Sequence, residues 1–330
     1  MTRPAFAVLL LDRPLTSLLT LSVASALAFA CDAGESSDDD DDGAGGTTAV
    51  AGSPATGGTP TAGATAMAGS GGSVAGAPAG GSGGTVSGPS GFGTPMQEGE
   101  GLSQDRWAKN AVSRNGVFYY FMANGWGPGF QSQTVQWKGT SFTVQSMQGT
   151  QGPSYEPASY PTMFCGVYSD SRSGQCGLPR PVAQITSLRT GWRWQPNGNT
   201  GQYNAAYDIW LSNNGDVSGH SSFLMVWLRD PAGQQPAGRV VQSQITVPGV
   251  AGAWNLWSGV ISGKPCISYV RAEGQDQLEI EFDAMAFVRD APTRGVQLPG
   301  SQILSVAVGF EIWRGPVTNL VSSDFYVDVQ

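Results

Sequence analysis

Histidine is almost absent from this chain of 330 residues, which contains a single one, His220. A zinc enzyme and a Ser-His-Asp hydrolase both depend on histidine, as a metal ligand or as a general base. The scarcity therefore argues against both classes, and we expect neither a metal nor a cofactor. We interpret His220 as a loop residue that precedes a strand.

Basic side chains are also scarce: the chain has 17 lysines and arginines against 25 aspartates and glutamates, for a formal net charge of -8. Seven of the acids lie in residues 31–95, which contain no lysine or arginine, whereas residues 96–330 contain 17 acids and 15 bases. A nucleic-acid partner requires a basic surface that neutralises phosphates. The sequence has no such patch, so we exclude nucleic acid as a partner.

An apolar run at the N-terminus, residues 15–30, follows Arg3 and Arg13. It is too short and too rich in serine and alanine for a membrane span, and the charges before it are typical of an export signal, which we assign to residues 1–30. Cys31 follows at once, which resembles a bacterial lipoprotein signal in which this cysteine receives lipid. Two locations stay open: an anchor at the bacterial outer surface through Cys31, or simple secretion.

Residues 31–91 consist largely of glycine, alanine, serine, threonine and proline, with a block of aspartates at 38–42. Such a segment cannot bury enough apolar surface to offset its conformational entropy, so we interpret it as a flexible tether. A calcium site in the aspartate block is the weaker alternative, because no glycine turn spaces the ligands. The folded domain is predicted over residues 92–330, and we expect it to be a monomer.

Cysteine is limited to four residues, three of them in the predicted domain. Cys165 and Cys176 have ten residues between them in a Gly/Ser-rich stretch, and an exported protein can oxidise them to a disulfide. Cys266 lies in a segment typical of a strand. We interpret it as a buried thiol outside that disulfide.

Short runs rich in Val, Ile, Phe, Tyr and Trp begin at about residue 92, with Gly, Asn and Pro between them. The predicted strands include 116–122, 141–147, 203–211, 222–228, 253–260, 303–313 and 323–329. Many short strands between turns are typical of a two-sheet antiparallel sandwich, here of the concanavalin-like jelly-roll kind. Residues 283–290 have apolar side chains at helical spacing and predict one short helix.

Tryptophan is abundant, with ten residues that all lie in the predicted domain. A flat aromatic ring packs on the C–H face of a sugar, but most strand tryptophans are better interpreted as core. Trp126 is the exception, because the glycines of Asn124-Gly125-Trp126-Gly127 allow the backbone to present its ring. Glu311 lies among apolar and aromatic neighbours, which raise the pKa of a carboxyl, as a general acid requires.

In their order along the chain, these segments resemble glycoside hydrolase family 12, the endo-β-1,4-glucanases and xyloglucanases with a β-jelly roll, over nearly all of residues 104–330. Cys165 and Cys176 stand where bacterial members have a nearby cysteine pair. The matching segments are Asp105-Arg106-Trp107-Ala108, Asn124-Gly125-Trp126-Gly127, Ser159-Tyr160-Pro161, Ala206-Tyr207-Asp208, Pro236-Ala237-Gly238, residues 282–295 and Gly309-Phe310-Glu311-Ile312-Trp313.

The resemblance implies a role for several residues. Glu311 would be the catalytic acid/base, and Asp208 would be the carboxylate that supports the nucleophile. Asn124 and Trp126 would hold sugar in the minus subsites. The other substrate-binding residues would be Met225 and Trp227, on the floor of the cleft, and Trp313.

The chain departs from the family pattern at one position. The family's nucleophile is the first residue of a Glu-Leu-Met-Ile-Trp-Leu strand, and here the strand reads Phe223-Leu224-Met225-Val226-Trp227-Leu228. Phe223 therefore stands at the nucleophile's position, and Ser222 before it supplies no carboxylate either. A retaining glycosidase needs a second carboxylate about 5–5.5 Å from the acid to form the glycosyl-enzyme.

Three functions are consistent with this sequence. The favoured one is a protein that binds a β-1,4-glucan (cellulose, xyloglucan or mixed-linkage glucan) and whose hydrolysis is weak or lost. The second is an active endo-β-1,4-glucanase in which Asp208 and Glu311 work as an inverting pair, about 6.5–9.5 Å apart. His220 and Glu281 are further candidates for the missing group. The third is a surface adhesion module without a sugar cleft.

Overall fold

The computed structural model describes residues 91–93, 96–199, 201–272, 274 and 276–330. The predicted export signal, Cys31 and all but the last residue of the predicted tether lie outside the described residues. No helix in the described part is long and apolar enough to cross a membrane.

Twenty strands and one α-helix make up the regular structure of the described residues. The helix, α1, spans Met285–Thr293, and two single 3-10 turns span Val182–Gln184 and Val217–Gly219. The strands are β1 (Gln97–Glu98), β2 (Glu100–Ser103), β3 (Lys109–Arg114), β4 (Val117–Met122), β5 (Phe130–Lys138), β6 (Ser141–Gly149), β7 (Thr162–Tyr168), β8 (Ser171–Arg172), β9 (Arg180–Pro181), β10 (Leu188–Gln195), β11 (Gln202–Tyr203), β12 (Ala205–Ser212), β13 (His220–Arg229), β14 (Arg239–Val247), β15 (Val250–Ile261), β16 (Lys264–Arg271), β17 (Glu279–Asp283), β18 (Gln302–Gly309), β19 (Ile312–Arg314) and β20 (Val317–Val329).

Two sheets contain nearly all of these strands. One has twelve strands, with the main order β1-β3-β4-β7-β18-β12-β13-β16-β15-β14, and with β8 paired to β7 and β9 to β18. The other has six, in the order β17-β10-β20-β6-β5-β2. The neighbours are antiparallel except for the parallel pair β13 and β16. The predicted all-β sandwich of two sheets with one short helix is confirmed.

Side chains of the twelve-stranded sheet alternate between two packed regions, because successive residues of a strand point to opposite faces. Tyr207 on β12 packs in the core between the sheets, with its ring centroid 5.9 Å from that of Trp192 on β10. Trp210, also on β12, belongs to a separate cluster on the opposite side of the large sheet. We call this side the outer face. It also carries Met122, Phe164, Phe223, Met225, Trp227 and Trp313.

Two of the predicted strands are interrupted in the structure, at Asn204 and at Glu311. The run 303–313 splits into β18 and β19, and the run 203–211 splits into β11 and β12. Asn204 and Glu311 face each other across this break and exchange hydrogen bonds, so the chain beyond them pairs separately as the small sheet β11–β19. The prediction of continuous strands was wrong, because the local residue pattern does not reveal where the two strands leave the large sheet together.

His220 is buried and is the first residue of β13, so its prediction as a loop residue was wrong. Its imidazole stacks on the indole of Trp210, with ring centroids 4.7 Å apart and planes inclined by 28°. Packing against an aromatic ring, rather than local sequence, draws this residue into the sheet.

The predicted helix is shifted by a few residues, to Met285–Thr293. Asp283 explains its start, because the carboxylate Oδ1 accepts the backbone N–H of Met285 at 3.0 Å. Cys165 and Cys176 form a disulfide. Cys266 lies buried on β16, with its Sγ 3.8 Å from the hydroxyl of Ser268.

Arg114 links the two sheets through a buried ion pair. It ends β3 of the twelve-stranded sheet, and its Nη1 lies 3.1 Å from Oδ1 of Asp324 on β20 of the six-stranded sheet. The guanidinium also donates to the carbonyls of Phe325 (2.8 Å) and Gly91 (2.7 Å). Arg114 thus fixes the position of one sheet relative to the other and also binds the backbone of Gly91.

Candidate active site

A small pocket lies on the outer face, where β12, β13 and the segment after β18 meet. Its volume is about 40 Å³, whereas small-molecule sites typically have roughly 300–1,000 Å³. The lining side chains therefore nearly fill it. They are Trp126, Pro157, Tyr160, Tyr168, Asp208, Phe223, Met225, Ile261 and Glu311.

Asp208 lies at the centre of the pocket, on β12 between Met225 of β13 and Ala307 of β18. Its Oδ2 accepts two hydrogen bonds, from the hydroxyl of Tyr168 at 2.9 Å and from the indole N–H of Trp210 at 2.8 Å. Burial raises the pKa of this carboxyl to about 6, although the two hydrogen bonds oppose the shift. The group is thus mostly ionised at neutral pH.

Glu311 follows β18 and is half-buried beside Asp208 in the same pocket. The side-chain amide of Asn204 donates to its carboxylate, and the Glu311 backbone N–H donates back to Asn204 Oδ1 at 2.9 Å. Burial raises the pKa of the Glu311 carboxyl to about 8; the Asn204 bond lowers it and the negative charge of Asp208 raises it further. Glu311 therefore holds a proton at neutral pH, as a general acid must.

Phe223 occupies the wall of the pocket on β13, directly across from Trp210 of β12. Its side chain is 2% exposed, and its ring packs against Trp210 and His220 at centroid distances of 5.5 and 5.0 Å. Ser222 is buried and donates its hydroxyl to the carbonyl of Pro299. This stretch of β13 therefore brings a hydrocarbon ring, and no carboxylate, to the pocket.

Asn124 and Trp126 belong to a tight loop at the pocket's edge. Asn124 has a left-handed backbone (φ 47°), and Arg106 donates to the carbonyl of Gly125 at 2.5 Å. A Cβ on Gly127 would lie 2.0 Å from the carbonyl oxygen of Pro157, so only glycine fits there. The loop holds the half-buried Trp126 indole against the pocket.

Met225 lines the pocket floor, whereas Trp227 and Trp313 lie deeper on the same face. The two indoles are 1% and 3% exposed, and their ring centroids are 5.8 Å apart. Trp313 Nε1 donates to the backbone carbonyl of Tyr155 at 2.8 Å. Neither indole presents a face to solvent in this structure, so the two rings support the cleft from beneath.

His220 and Glu281 were the other candidates for a missing catalytic group. His220 lies behind Phe223, and its Nε2 is 3.0 Å from Lys264 Nζ. Burial and the Lys264 charge both lower the pKa of its imidazole, which is therefore neutral at neutral pH. Glu281 lies on β17 of the six-stranded sheet and accepts a hydrogen bond from Tyr326. It is not among the residues that line the pocket.

Asn204 and Tyr168 are site residues that sequence reasoning missed. Their polar partners are distant in the chain: Glu311 lies 107 residues from Asn204, and Asp208 lies 40 residues from Tyr168. No local spacing signals such contacts. The nearest hint is that Asn204 immediately precedes the Ala-Ala-Tyr-Asp strand that carries Asp208.

Within the described residues, no three His, Cys, Asp or Glu side chains are grouped closely enough to hold a metal ion. The chemistry that this pocket can support is proton transfer by two carboxyl groups of different acidity. The Asp208 carboxyl is the stronger acid and the Glu311 carboxyl the weaker one.

Comparison with known proteins places this arrangement in a family. The model of glycosyl hydrolase family 12 matches residues 118–330. The chain belongs to glycosyl hydrolase family 12. It resembles the endoglucanase Cel12A from Rhodothermus marinus, with 31% identity, a TM-score of 0.60, and coverage of 69% of this chain and 98% of that one. The endo-1,4-β-glucanase CelB2 has 26% identity and a TM-score of 0.62, over 69% of this chain and 99% of its own.

Curated family 12 relatives are similar over a shorter span. The xyloglucan-specific endo-β-1,4-glucanase A of Aspergillus aculeatus is 33% identical over 155 residues, which are 46% of this chain and 63% of that protein. Endoglucanase S of Pectobacterium parmentieri is 27% identical over 178 residues, 50% of this chain and 64% of that protein. The matches thus span less than two thirds of these relatives.

Proposed function

We propose that this chain binds β-1,4-linked glucans in the cleft around Trp126 and Glu311, and that it hydrolyses them weakly or not at all. Family membership supports the ligand class, because the similar proteins carry the names endoglucanase and xyloglucan-specific endo-β-1,4-glucanase. Cellulose, xyloglucan and mixed-linkage glucan are all members of that class.

The presence of Phe223 in the pocket with Asp208 and Glu311 carries the proposal. A retaining reaction needs a carboxylate that attacks the sugar and a second that protonates the leaving oxygen. A phenyl ring does neither, and it offers no negative charge to an oxocarbenium-like transition state.

The retained groups fit a binding role. Asn124, Trp126 and Met225 would contact sugar along the cleft, with Trp227 and Trp313 supporting it from below. Glu311, protonated at neutral pH, can donate a hydrogen bond to a glycosidic or hydroxyl oxygen. Loss of one member of a catalytic pair costs many orders of magnitude in rate while leaving binding groups in place.

A matched pair of substitutions at Phe223 tests the proposal. Reducing-end release from barley β-glucan, xyloglucan and carboxymethyl cellulose would be measured for the wild type, Phe223→Glu and Phe223→Gln. We expect weak or no turnover in the wild type, clear turnover in Phe223→Glu, and no gain in Phe223→Gln, whose side chain has the size of Glu without the charge. Clear wild-type turnover that Glu311→Gln abolishes would overturn the claim that hydrolysis is weak or lost.

An active inverting glucanase is the second candidate. Its support is the pairing of a mostly ionised Asp208 (pKa about 6) with a mostly protonated Glu311 (pKa about 8) in one pocket, the assignment that an inverting base and acid require. In this case Asp208→Asn would abolish turnover, and proton NMR would detect the α-anomer as first product. A β-anomer as the first product would exclude the inverting mechanism. Glucan affinity would be measured by titration calorimetry for the wild type and for Trp126→Ala, which should bind more weakly. A wild type that binds no glucan would leave the adhesion module as the remaining function.

We propose further that residues 31–91 tether a monomeric domain of residues 92–330 to the cell exterior through lipid on Cys31. Metabolic labelling with a radioactive fatty acid would test the anchor. Label on the wild type and its loss in Cys31→Ser would support lipidation, whereas unlabelled protein in the medium would indicate simple secretion. Sedimentation analysis would test the monomer.

A further inference from the structure

Tyr155 presents an exposed aromatic ring at the rim of the cleft. It is 59% exposed, although the next two residues along the chain, Glu156 and Pro157, are buried. Pro157 lines the pocket beside Trp126. An exposed ring next to a sugar-binding cleft has the chemistry to contact a sugar, because the flat C–H face of a pyranose packs on an aromatic face.

The loop that carries Tyr155 is held in one conformation. Tyr155 has a left-handed backbone with φ 67°, which is costly for a bulky residue and persists only where the surroundings enforce it. Its N–H donates to the carbonyl of Gly152 at 3.1 Å. Its carbonyl accepts the indole N–H of Trp313 at 2.8 Å. The ring is therefore presented by an ordered segment.

Two further contacts fix this loop to the rest of the site. The Glu156 carboxylate accepts the backbone N–H of Ser154 at 2.9 Å, which closes the loop on itself. The side-chain amide of Gln234, in the loop after β13, donates to Gln151 Oε1 at 2.9 Å. The second contact joins the Tyr155 loop to a loop from the neighbouring part of the outer face.

The burial of Trp227 and Trp313 makes Tyr155 more significant. Both indoles are covered, and one is hydrogen-bonded directly to the Tyr155 backbone. The side chain of Tyr155, by contrast, is exposed to solvent. Trp126 lines the pocket together with Pro157, and its ring is half-buried.

We infer that Tyr155 is a further glucan-binding residue, whose ring stacks on a sugar unit outside the pocket of Glu311 and so favours longer chains. This inference rests on the proposed glucan-binding function. Because the Tyr155 ring would contact a sugar unit outside the pocket, it would strengthen the binding of long glucan chains more than that of short ones.

Titration calorimetry on the full chain with cellotriose and cellohexaose tests the inference. Tyr155→Asn removes the ring but keeps a residue that tolerates a left-handed backbone. We expect it to weaken cellohexaose binding about fivefold to tenfold and cellotriose binding by less than about twofold. Tyr155→Phe retains the ring and should bind both sugars within about twofold of the wild type.

Two controls separate this inference from the proposed function. Leu278→Ala removes an exposed apolar side chain (43%) beside the six-stranded sheet and should change neither affinity. Trp126→Ala should weaken the binding of both cellotriose and cellohexaose. If Trp126→Ala loses binding while Tyr155→Asn binds cellohexaose like the wild type, the inference about Tyr155 is wrong and glucan binding stands. An equal loss of affinity for both sugars in Tyr155→Asn would also overturn the inference about Tyr155. A wild type that binds neither sugar would overturn both that inference and the proposed glucan binding.

Discussion

Asn204 holds Glu311 at its backbone and at its carboxylate. The asparagine amide donates to the carboxylate, its Oδ1 accepts the Glu311 N–H at 2.9 Å, and the Asn204 N–H donates to the Glu311 carbonyl at 3.0 Å. Asn204 itself is fully buried. The orientation of the proposed acid is therefore set by one neighbour, at the point where two strands leave the large sheet.

Removing this neighbour should change both the acidity of Glu311 and the stability of the fold. Since the Asn204 hydrogen bond lowers the pKa of Glu311, Asn204→Ala should raise that pKa further above 8. Loss of a buried hydrogen-bond partner should reduce the free energy of unfolding by about 1–3 kcal/mol. Carbon-13 NMR titration of the Glu311 carboxyl and urea unfolding measure the two effects.

Asn199→Ala is the matched control for that prediction. Asn199 also bridges chain segments, with its side chain accepting the N–H of Thr318 at 2.9 Å, but it is not among the residues that line the pocket. It should lower stability and leave the Glu311 titration unchanged. A Glu311 titration unaffected by Asn204→Ala would contradict the role given to Asn204.

The Asp208 and Glu311 carboxyls should make the fold less stable as pH rises from about 4 to 8. Asp208 and Glu311 have folded pKa values of about 6 and 8, above their ordinary values of 3.8 and 4.5. In this window the folded state binds more protons than the unfolded state, so the free energy of unfolding decreases with pH. Below the window both groups are protonated in both states and the penalty vanishes.

Thermal melts across that pH range test the sign and the assignment. Glu311→Gln should flatten the decline from about pH 4.5 to 8, whereas Asp208→Asn should flatten it only below about pH 6. Asp216→Asn is the control, because its hydrogen bonds with Ser218 lower the pKa of that carboxyl and its titration lies below the window. A pH dependence of the melting temperature that neither Glu311→Gln nor Asp208→Asn changes would refute the assignment.

His220 should become more basic when Lys264 is removed. Burial is the main cause of its lowered pKa, and the Lys264 ammonium, 3.0 Å from Nε2, lowers it further. Lys264→Met should therefore raise the pKa of His220. The chain has one histidine, so its Cε1–H resonance can be followed by proton NMR without assignment. Lys109→Met, whose lysine pairs with Asp170 instead, should leave the resonance unchanged.

Removing one partner of the buried Arg114–Asp324 ion pair should lower the free energy of unfolding more than replacing both partners. Arg114→Met leaves a buried carboxylate without its cation and should destabilise the fold by about 3–5 kcal/mol in chemical unfolding. The double substitution Arg114→Met with Asp324→Asn should recover part of that loss. Lys138→Met breaks an exposed pair with Glu100 at 3.5 Å and should cost less than about 1 kcal/mol. Equal costs for the buried and exposed pairs would contradict the proposed link between the sheets.

Strand alternation made much of the outer face predictable. The spacing of Phe223, Met225 and Trp227 in the sequence requires that all three point to the same side of a strand, because successive side chains of a strand alternate. The structure has them together on the outer face. The all-β class and the short helix follow from local patterns of the same kind, whereas the roles of the site residues came from the resemblance to the family.

Contacts between distant segments could not be predicted in this way. Asn204 meets Glu311 across 107 residues, and Trp313 is covered by a loop that lies 158 residues earlier in the chain. His220 is drawn into β13 by stacking on Trp210. Each outcome depends on which surfaces pack together, which a run of apolar letters does not specify.

The sequence by itself determined the sandwich, the order of its motifs and the absence of a carboxylate at position 223, because these depend on residue type and on the two-residue period of a strand. Only the tertiary structure decided how closed the pocket is, which tryptophans are buried and that the side chain of Tyr155 is exposed. The physical reason is that burial and hydrogen-bond partners arise from the packing of both sheets and their loops, over distances that local geometry does not span.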